Sequence, residues 1–174
     1  MHIPGQPIQL GNDESGAALL TGGPVDTLAA GLLSPCAVTV DAEAVYWTES
    51  GIFSTDVWTG DGAVKKLVHG DSVPVVLAGK QAGACGIAVD ATDVYWSQDG
   101  GTRFPVRRVP RGGGTPVTLT PTDGPSAQSY PTRFPLGVAL DATHVYFLGQ
   151  SPKPASPFDI DALLRQPKSS CAGA

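Results

Sequence analysis

Apolar and polar positions alternate over short runs along this chain, and one such run occurs three times. Residues 36–50 read CAVTVDAEAVYWTES, residues 85–99 read CGIAVDATDVYWSQD, and residues 136–150 read LGVALDATHVYFLGQ. Alternation with a period of two, rich in β-branched and aromatic residues, is typical of half-buried β-strands. The pattern therefore predicts an all-β protein built from repeats.

The three runs align on their aspartates, Asp41, Asp90 and Asp141, which are separated by 49 and 51 residues. A tyrosine follows each aspartate at the same distance, and the apolar positions before it also coincide. A second phrase, close to GTPVTL, recurs out of step with the first at 22–28, 73–77 and 114–119. A fixed period of this size is the signature of a repeat architecture.

Each unit divides into four predicted strands, as the second unit shows. Its strands are predicted at 85–91, 93–98, 104–111 and 116–120. The turn between the first two carries aspartates that can accept hydrogen bonds from nearby backbone amides. The glycines at 112–114 turn the chain before the last strand, since glycine adopts positive φ without steric cost. Four antiparallel strands in 40–50 residues, repeated, are typical of β-propeller blades.

A solenoid is the rival repeat architecture, but it would need a shorter period or helical units. The segment DIDALLRQP (159–167) is the one helical candidate. It aligns with 104–111 through Pro167 and Pro110, so we interpret it as the third strand of the last unit.

The stretch GIAVDATDVYW, followed by RRVPRGGGTPVTL, resembles the β-propeller repeats of myxobacterial secreted proteins and lipoproteins. These repeats are related in style to six-bladed TolB-like and NHL-type propellers. The resemblance covers roughly residues 20–168. It implies a β-propeller fold and an extracytoplasmic location, and it brings no functional residues with it.

The strands amount to about three blades of a partial ring in a single domain, 1–174. We assign a blade remnant to 17–30, blades to 36–78 and 85–120, and an incomplete blade to 136–168. Propellers close with roughly 4–8 blades. Two explanations follow: a homodimer that closes a six-bladed ring, or a fragment of a longer propeller. The start, MHIPGQPIQLGNDESG, shows no signal peptide, which favours the fragment.

Composition narrows the possible partners. Charged residues are only 16% of the chain and the net charge is −5. A nucleic-acid site would need a basic cluster. The group that comes closest to one is interpreted as the solvent-exposed face of a strand; it consists of Arg103, Arg107, Arg108 and Arg111. No run of 18 apolar residues occurs, so no membrane span is predicted.

The search for catalytic or metal-binding chemistry yields no site, and no cofactor is predicted. His2, His69 and His144 are not spaced as metal ligands on one element. The repeated aspartates could line a metal or substrate site, but a carboxylate at the start of a turn is more simply a cap on backbone amides. The segment DVWTGDG (56–62) is interpreted as an inserted hairpin turn, because it lacks the alternating ligands of a calcium loop.

Cys36 and Cys85 occupy the same repeat position, where the third unit has Leu136. A position that accepts Cys or Leu is predicted to be a small buried apolar site. Equivalent positions in adjacent units are expected to be too far apart for a disulfide, which needs Cα atoms within about 7 Å. Cys171, in the tail, is expected to be exposed.

The sequence favours a non-catalytic binding or scaffold module whose ligand is a protein or a glycan. The longest variable loop is 121–135, and Tyr130, Arg133 and Phe134 are its candidate binding residues because aromatics and Arg dominate binding hot spots. The alternative is a fragment of a propeller enzyme of the lyase or lactonase type, whose site lies in missing blades. The lack of an axial histidine and the few glutamates (Glu14, Glu43 and Glu49) argue against that alternative.

Overall fold

The computed structural model describes residues 11–12, 18–19, 25–54, 57–99, 105–120, 137–149 and 162–169. Every regular element in these ranges is a β-strand. In chain order they are β1 Gly11–Asn12, β2 Ala18–Leu19, β3 Pro35–Val40, β4 Ala44–Glu49, β5 Phe53–Ser54, β6 Val57–Trp58, β7 Ala63–Val68, β8 Val75–Gly79, β9 Ala84–Val89, β10 Asp93–Gln98, β11 Val106–Pro110, β12 Val117–Thr118, β13 Val138–Leu140, β14 His144–Gly149 and β15 Ala162–Pro167. The described part of the chain thus contains no helix that could cross a membrane.

The strands form three main sheets in which chain neighbours pair antiparallel. Sheet I has the order β3-β4-β7-β8, sheet II has the order β9-β10-β11-β12, and sheet III contains β13-β14-β15. Two short hairpins, β1–β2 and β5–β6, complete the pairing. These sheets confirm the all-β prediction and the prediction of four-stranded antiparallel units.

Two local predictions are tested directly by these strands. The segment 159–167 contributes β15, which pairs with β14 along its length, so the strand interpretation is confirmed. The insertion in the first unit is a hairpin, β5–β6, which lies slightly earlier than the predicted 56–62. Within 17–30, β2 is extended and residues 25–30 have no regular structure.

The three sheets share one register between their first and second strands. Val38 pairs with Trp47, Ile87 with Trp96, and Val138 with Phe147. Because successive side chains of a strand point to opposite faces, this aromatic residue and the tyrosine before it face opposite sides of each sheet.

Two apolar clusters hold the sheets together. Trp96, with Val94 and Ile87, packs against sheet I residues that include Tyr46 and Val64. On the other face of sheet II, a second cluster joins it to sheet III; its buried members are Tyr95, Val106, Leu119, Val145 and Phe147. Sheet II therefore lies between the other two sheets, and both of its faces are buried.

The first strands of the sheets lie beside one another, since β9 contacts both β3 and β13. This proximity overturns the expectation for the cysteines. Cys36 and Cys85 form a disulfide with their Cα atoms 4.9 Å apart. The prediction was wrong because it took equivalent positions to be separated by a full sheet spacing, whereas β3 and β9 converge at this point.

Candidate functional site

The most regular polar feature of the molecule is built around the aspartate that ends each first strand. Its Oδ1 atom accepts hydrogen bonds from the backbone amides two and three residues further along the chain. For Asp41 these amides belong to Glu43 and Ala44, at 2.8 and 3.0 Å. The equivalent donors are Thr92 and Asp93 for Asp90, and Thr143 and His144 for Asp141. The interpretation of the aspartates as turn caps is confirmed.

The second oxygen of Asp41 makes a contact that no local pattern predicts. Its Oδ2 atom accepts a hydrogen bond from the Tyr46 hydroxyl at 3.3 Å and lies 2.6 Å from Arg111 Nη2. Arg111 also donates to the Tyr46 hydroxyl from Nε and Nη2, and its guanidinium lies 5.7 Å from the centre of the Tyr46 ring. Arg111 follows β11 of sheet II, so these three residues join sheet I to sheet II. We call this group the first clamp.

The same arrangement joins sheet II to sheet III. Asp90 Oδ2 accepts a hydrogen bond from the Tyr95 hydroxyl at 3.1 Å and lies 2.7 Å from Lys168 Nζ. Lys168 follows β15, and its ammonium lies 5.4 Å from the centre of the Tyr95 ring. Asp90, Tyr95 and Lys168 form the second clamp. In both clamps a cation from one sheet reaches the aspartate and tyrosine of the sheet before it.

Sheet III carries the aspartate and tyrosine of a third clamp. The Tyr146 hydroxyl donates to Asp141 Oδ2 at 2.6 Å. Among the described residues, no Lys or Arg from a following sheet reaches this pair. The Asp141 side chain is accordingly 45% exposed, compared with 25% for Asp41 and 23% for Asp90.

The clamps shift the ionisation of their members. Burial raises the pKa of Asp90, but hydrogen bonds from Lys168 and from the Asp93 and Thr92 amides outweigh burial and hold that pKa well below its ordinary value. Burial, together with the neighbouring Asp90 carboxylate, raises the pKa of Tyr95 to about 12. At neutral pH Asp90 is therefore a carboxylate and Tyr95 a neutral phenol.

The pKa of Asp41 is lowered in the same sense. Burial works in the opposite direction, and the amides of Glu43 and Ala44 and the charge of Arg111 overcome it. For Asp141 the largest cause of the lowered pKa is the hydrogen bond from Tyr146, followed by the amides of its turn.

A second feature is an apolar groove on the side of sheet I that faces away from sheet II. Its volume is about 500 Å³, and it lies between the segment 26–35 and the outer face of sheet I. Apolar side chains line most of it, including Leu28, Leu32, Val38 and Trp47. The described residues thus offer an open apolar surface here rather than an enclosed polar pocket.

A buried ion pair lies on the same face of sheet I as the groove. Glu49 is fully buried, and its carboxylate accepts a hydrogen bond from Trp47 Nε1 at 2.9 Å and pairs with Lys65 Nζ at 2.8 Å. Burial raises the pKa of Glu49, but Lys65, Trp47 and the Leu33 amide overcome this effect and leave the pKa lowered. A paired and hydrogen-bonded carboxylate of this kind is structural, because its acceptor sites are already occupied.

Sheet II replaces the carboxylate of this pair with a neutral amide and keeps a cation beside it. Gln98 stands where sheet I has Glu49, and Arg107 stands where sheet I has Lys65. Arg107 Nη1 donates to Gln98 Oε1 at 3.3 Å. Trp96 Nε1 is buried and has no hydrogen-bond partner among the described residues. The repeat therefore preserves the apolar packing of this tryptophan more strictly than its polar contact.

The predicted site residues fall in different places. Tyr130, Arg133 and Phe134 lie outside the described residues, as do His2 and Cys171. His69 Nε2 lies 3.0 Å from the carbonyl oxygen of Asp41, and His144 Nδ1 lies 2.7 Å from Thr143 Oγ1. Within the described ranges, no group of three or more His, Cys, Asp or Glu side chains is placed to hold a metal ion.

Sequence reasoning missed the roles of Arg111 and Lys168. One signal for them was present, because each follows the proline that aligns the third strands, Pro110 or Pro167. The partners of these cations are 70 and 78 residues earlier in the chain, so only the packing of the sheets reveals the contact. No protein-family model matches this chain, and no curated protein matches it.

Proposed function

We propose that this chain is a non-catalytic β-propeller module that binds a protein or a glycan, or serves as a scaffold. The observation that carries the proposal is the side-by-side position of the first strands β3, β9 and β13, each leading into an antiparallel meander. Propeller blades are four-stranded sheets that pack radially around a common axis, and the repeated clamps between successive sheets support that geometry.

The ligand is proposed to bind through loops, because a rigid scaffold commonly presents its binding residues on the segments that connect its elements. The segment 121–135 joins the second unit to the third and is the longest variable stretch. It contains Tyr130, Arg133 and Phe134, whose side-chain types dominate binding hot spots. These three residues are the proposed contact set.

The hydrogen bonds and lowered pKa values of the repeated aspartates support a binding role rather than a catalytic one. Asp41 and Asp90 each accept two backbone amides, a tyrosine hydroxyl and a cation. General acid–base chemistry needs a carboxyl group within reach of a substrate and a pKa near the working pH. The pKa values of these aspartates are lowered instead, away from neutrality.

An extracytoplasmic location forms part of the proposal. The Cys36–Cys85 disulfide supports it, because disulfides persist in oxidising compartments and are rare in the cytosol.

The test is a binding screen with the whole chain against an immobilised glycan array and a random-peptide phage library. A Tyr130→Ala, Arg133→Ala, Phe134→Ala triple variant should bind the selected ligand at least about thirtyfold more weakly, as expected for hot-spot residues. The matched control is Ser72→Ala with Val73→Ala on an exposed turn, which should leave affinity unchanged. Failure to select any ligand, or a ligand indifferent to the triple variant, would overturn the proposal.

A further inference from the structure

The three sheets pack in the same orientation along the chain, so the two faces of each sheet are not equivalent. In sheets I and II, the tyrosine of the second strand faces the following sheet, and the aromatic residue after it faces away. Trp96 accordingly packs against sheet I, and Phe147 packs against sheet II. The outer faces of sheets I and III are therefore opposite halves of the contact that occurs twice inside the molecule.

The side chains on the outer face of sheet I are the repeat equivalents of those with which sheet II packs against sheet I. Val38 and Val40 align with Ile87 and Val89, and they pair with Trp47 and Val45 in the same register. Ile87 is 8% exposed against sheet I, whereas Val38 is 68% exposed. This apolar surface continues into the groove beside Leu28 and Leu32.

The outer face of sheet III has the complementary set. Leu163 pairs with Leu148, and this pair aligns with Val64 and Thr48 of sheet I. Val64 is fully buried by sheet II, whereas Leu163 is 72% exposed. The positions that sheet I buries against sheet II are therefore exposed in sheet III.

The polar groups of the two outer faces also occupy equivalent positions. The backbone amides of Arg111 and Lys168 donate to the turn carbonyls of Thr92 and Thr143. The backbone amide of His69 donates to the equivalent carbonyl, that of Glu43. His69 therefore stands in sheet I at the clamp position of the two cations. Asp141 and Tyr146 stand in sheet III at the position that such a residue contacts.

We propose that the outer face of sheet III binds the outer face of sheet I in a second copy of this chain, head to tail. Leu148 and Leu163 of one copy enter the apolar groove of the other copy, and His69 of that copy faces Asp141. The contact repeats the geometry by which sheet I binds sheet II. This inference rests on the described sheets alone and is independent of the loop function proposed above.

The test is sedimentation equilibrium and light scattering on the whole chain and on two arginine variants. Val38→Arg blocks the sheet I face and Leu163→Arg blocks the sheet III face; both sites are solvent-exposed in the single chain, so folding should survive. Val73→Arg, on the exposed turn before β8, is the matched control. Circular dichroism checks that all three variants remain folded.

We expect the wild-type chain to have at least twice the mass of one chain, and each blocking variant to be monomeric. An equimolar mixture of the two variants should form a heterodimer, because one intact sheet I face then meets one intact sheet III face. His69→Lys should tighten association about tenfold by supplying the cation class found in the clamps. An open polymer that either variant terminates would support the same contact.

Three results would overturn the inference. The first is a wild-type chain that stays monomeric at high concentration. The second is association that resists both arginine variants. The third is sensitivity to only one of them, since that would indicate contact between two identical faces.

Discussion

The Asp90 carboxylate makes five polar contacts, and it connects a turn to the neighbouring sheet. Oδ1 accepts the Thr92 and Asp93 amides and the Thr92 hydroxyl, whereas Oδ2 joins Tyr95 and Lys168. The Oδ1 contacts stabilise a turn of sheet II, and the Oδ2 contact with Lys168 connects sheet II to sheet III. An amide at this position would keep the shape but lose the charge that pairs with Lys168.

We predict that Asp90→Asn lowers the free energy of unfolding at pH 7 by about 2 kcal/mol, the scale of hydrogen bonds to a charged group. The folded-state pKa of Asp90 is depressed, so its contribution is present above the unfolded pKa of about 4 and is lost as pH falls below that value. Urea unfolding at pH 7, 5, 3 and 2 measures the difference between variant and wild type.

The difference should shrink towards pH 2, because Asp90 of the unfolded wild-type chain becomes protonated there while the folded state keeps its carboxylate, and this stabilises the unfolded state. Asp71→Asn, on an exposed turn, is the control and should track the wild type throughout. A deficit for Asp90→Asn that stays constant with pH would show that the second clamp is not held by charge.

At the scale of strands and turns, alternation and turn chemistry predicted most of what the structure contains. Strand β10 was predicted at 93–98 and is found at Asp93–Gln98. Strand β15 was predicted in a segment whose sequence also suits a helix, because Pro167 aligns with Pro110 of β11. These predictions succeeded because strand pairing and turn capping depend on residues close in sequence.

Contacts between sheets were beyond the reach of the same reasoning. A repeat shows that Cys36 and Cys85 are equivalent, but the distance between them depends on how closely β3 and β9 converge. Arg111 was assigned to a solvent-facing strand surface for the same reason. The predicted binding loop at 121–135 lies outside the described residues, so its role remains a prediction.

The disulfide gives a prediction at this scale. It closes a loop of 49 residues between the first strands of sheets I and II. Cys36→Ser with Cys85→Ser should lower the free energy of unfolding by about 4 kcal/mol in the chain-entropy account of cross-linking. Denaturant titration of the oxidised chain, the reduced chain and the double variant makes the comparison.

The double variant and the reduced wild type should coincide. Thiol titration of the unfolded chain supplies an independent check, since one of its three cysteines should react before reduction and all three afterwards. Cys171→Ser is the matched control, and it should keep the full stability of the oxidised protein. Three reactive thiols before reduction would contradict the pairing.

For the whole molecule, the position of sheet II between two partners implies an uneven distribution of stability. Trp96 and Tyr95 are buried on its two faces, and the disulfide ties its first strand to sheet I. Sheet III is packed on one face only and has three strands in the described part of the chain. Local opening therefore costs less in sheet III than in sheet II.

Hydrogen exchange with mass spectrometry on the monomeric Val38→Arg variant, in which the outer face of sheet III is uncovered, should show this gradient. Amides of β9 and β10 should exchange slowest, whereas those of β13 and β14 should exchange markedly faster. Lys168→Ala should increase exchange in sheet III more than in sheet I, because it removes the second clamp but leaves the first. Uniform protection across the three sheets would show that they open as one cooperative unit.

The clamps also bear on how such a chain can lengthen over evolutionary time. Each clamp takes its aspartate and tyrosine from one period and its cation from the next, at fixed places in the repeat. A tandem duplication of one coding period therefore carries both halves of the connection and adds a sheet already able to join its neighbours. Arg111 and Lys168 occupy the same repeat position, so either basic side chain can make the connection between successive sheets.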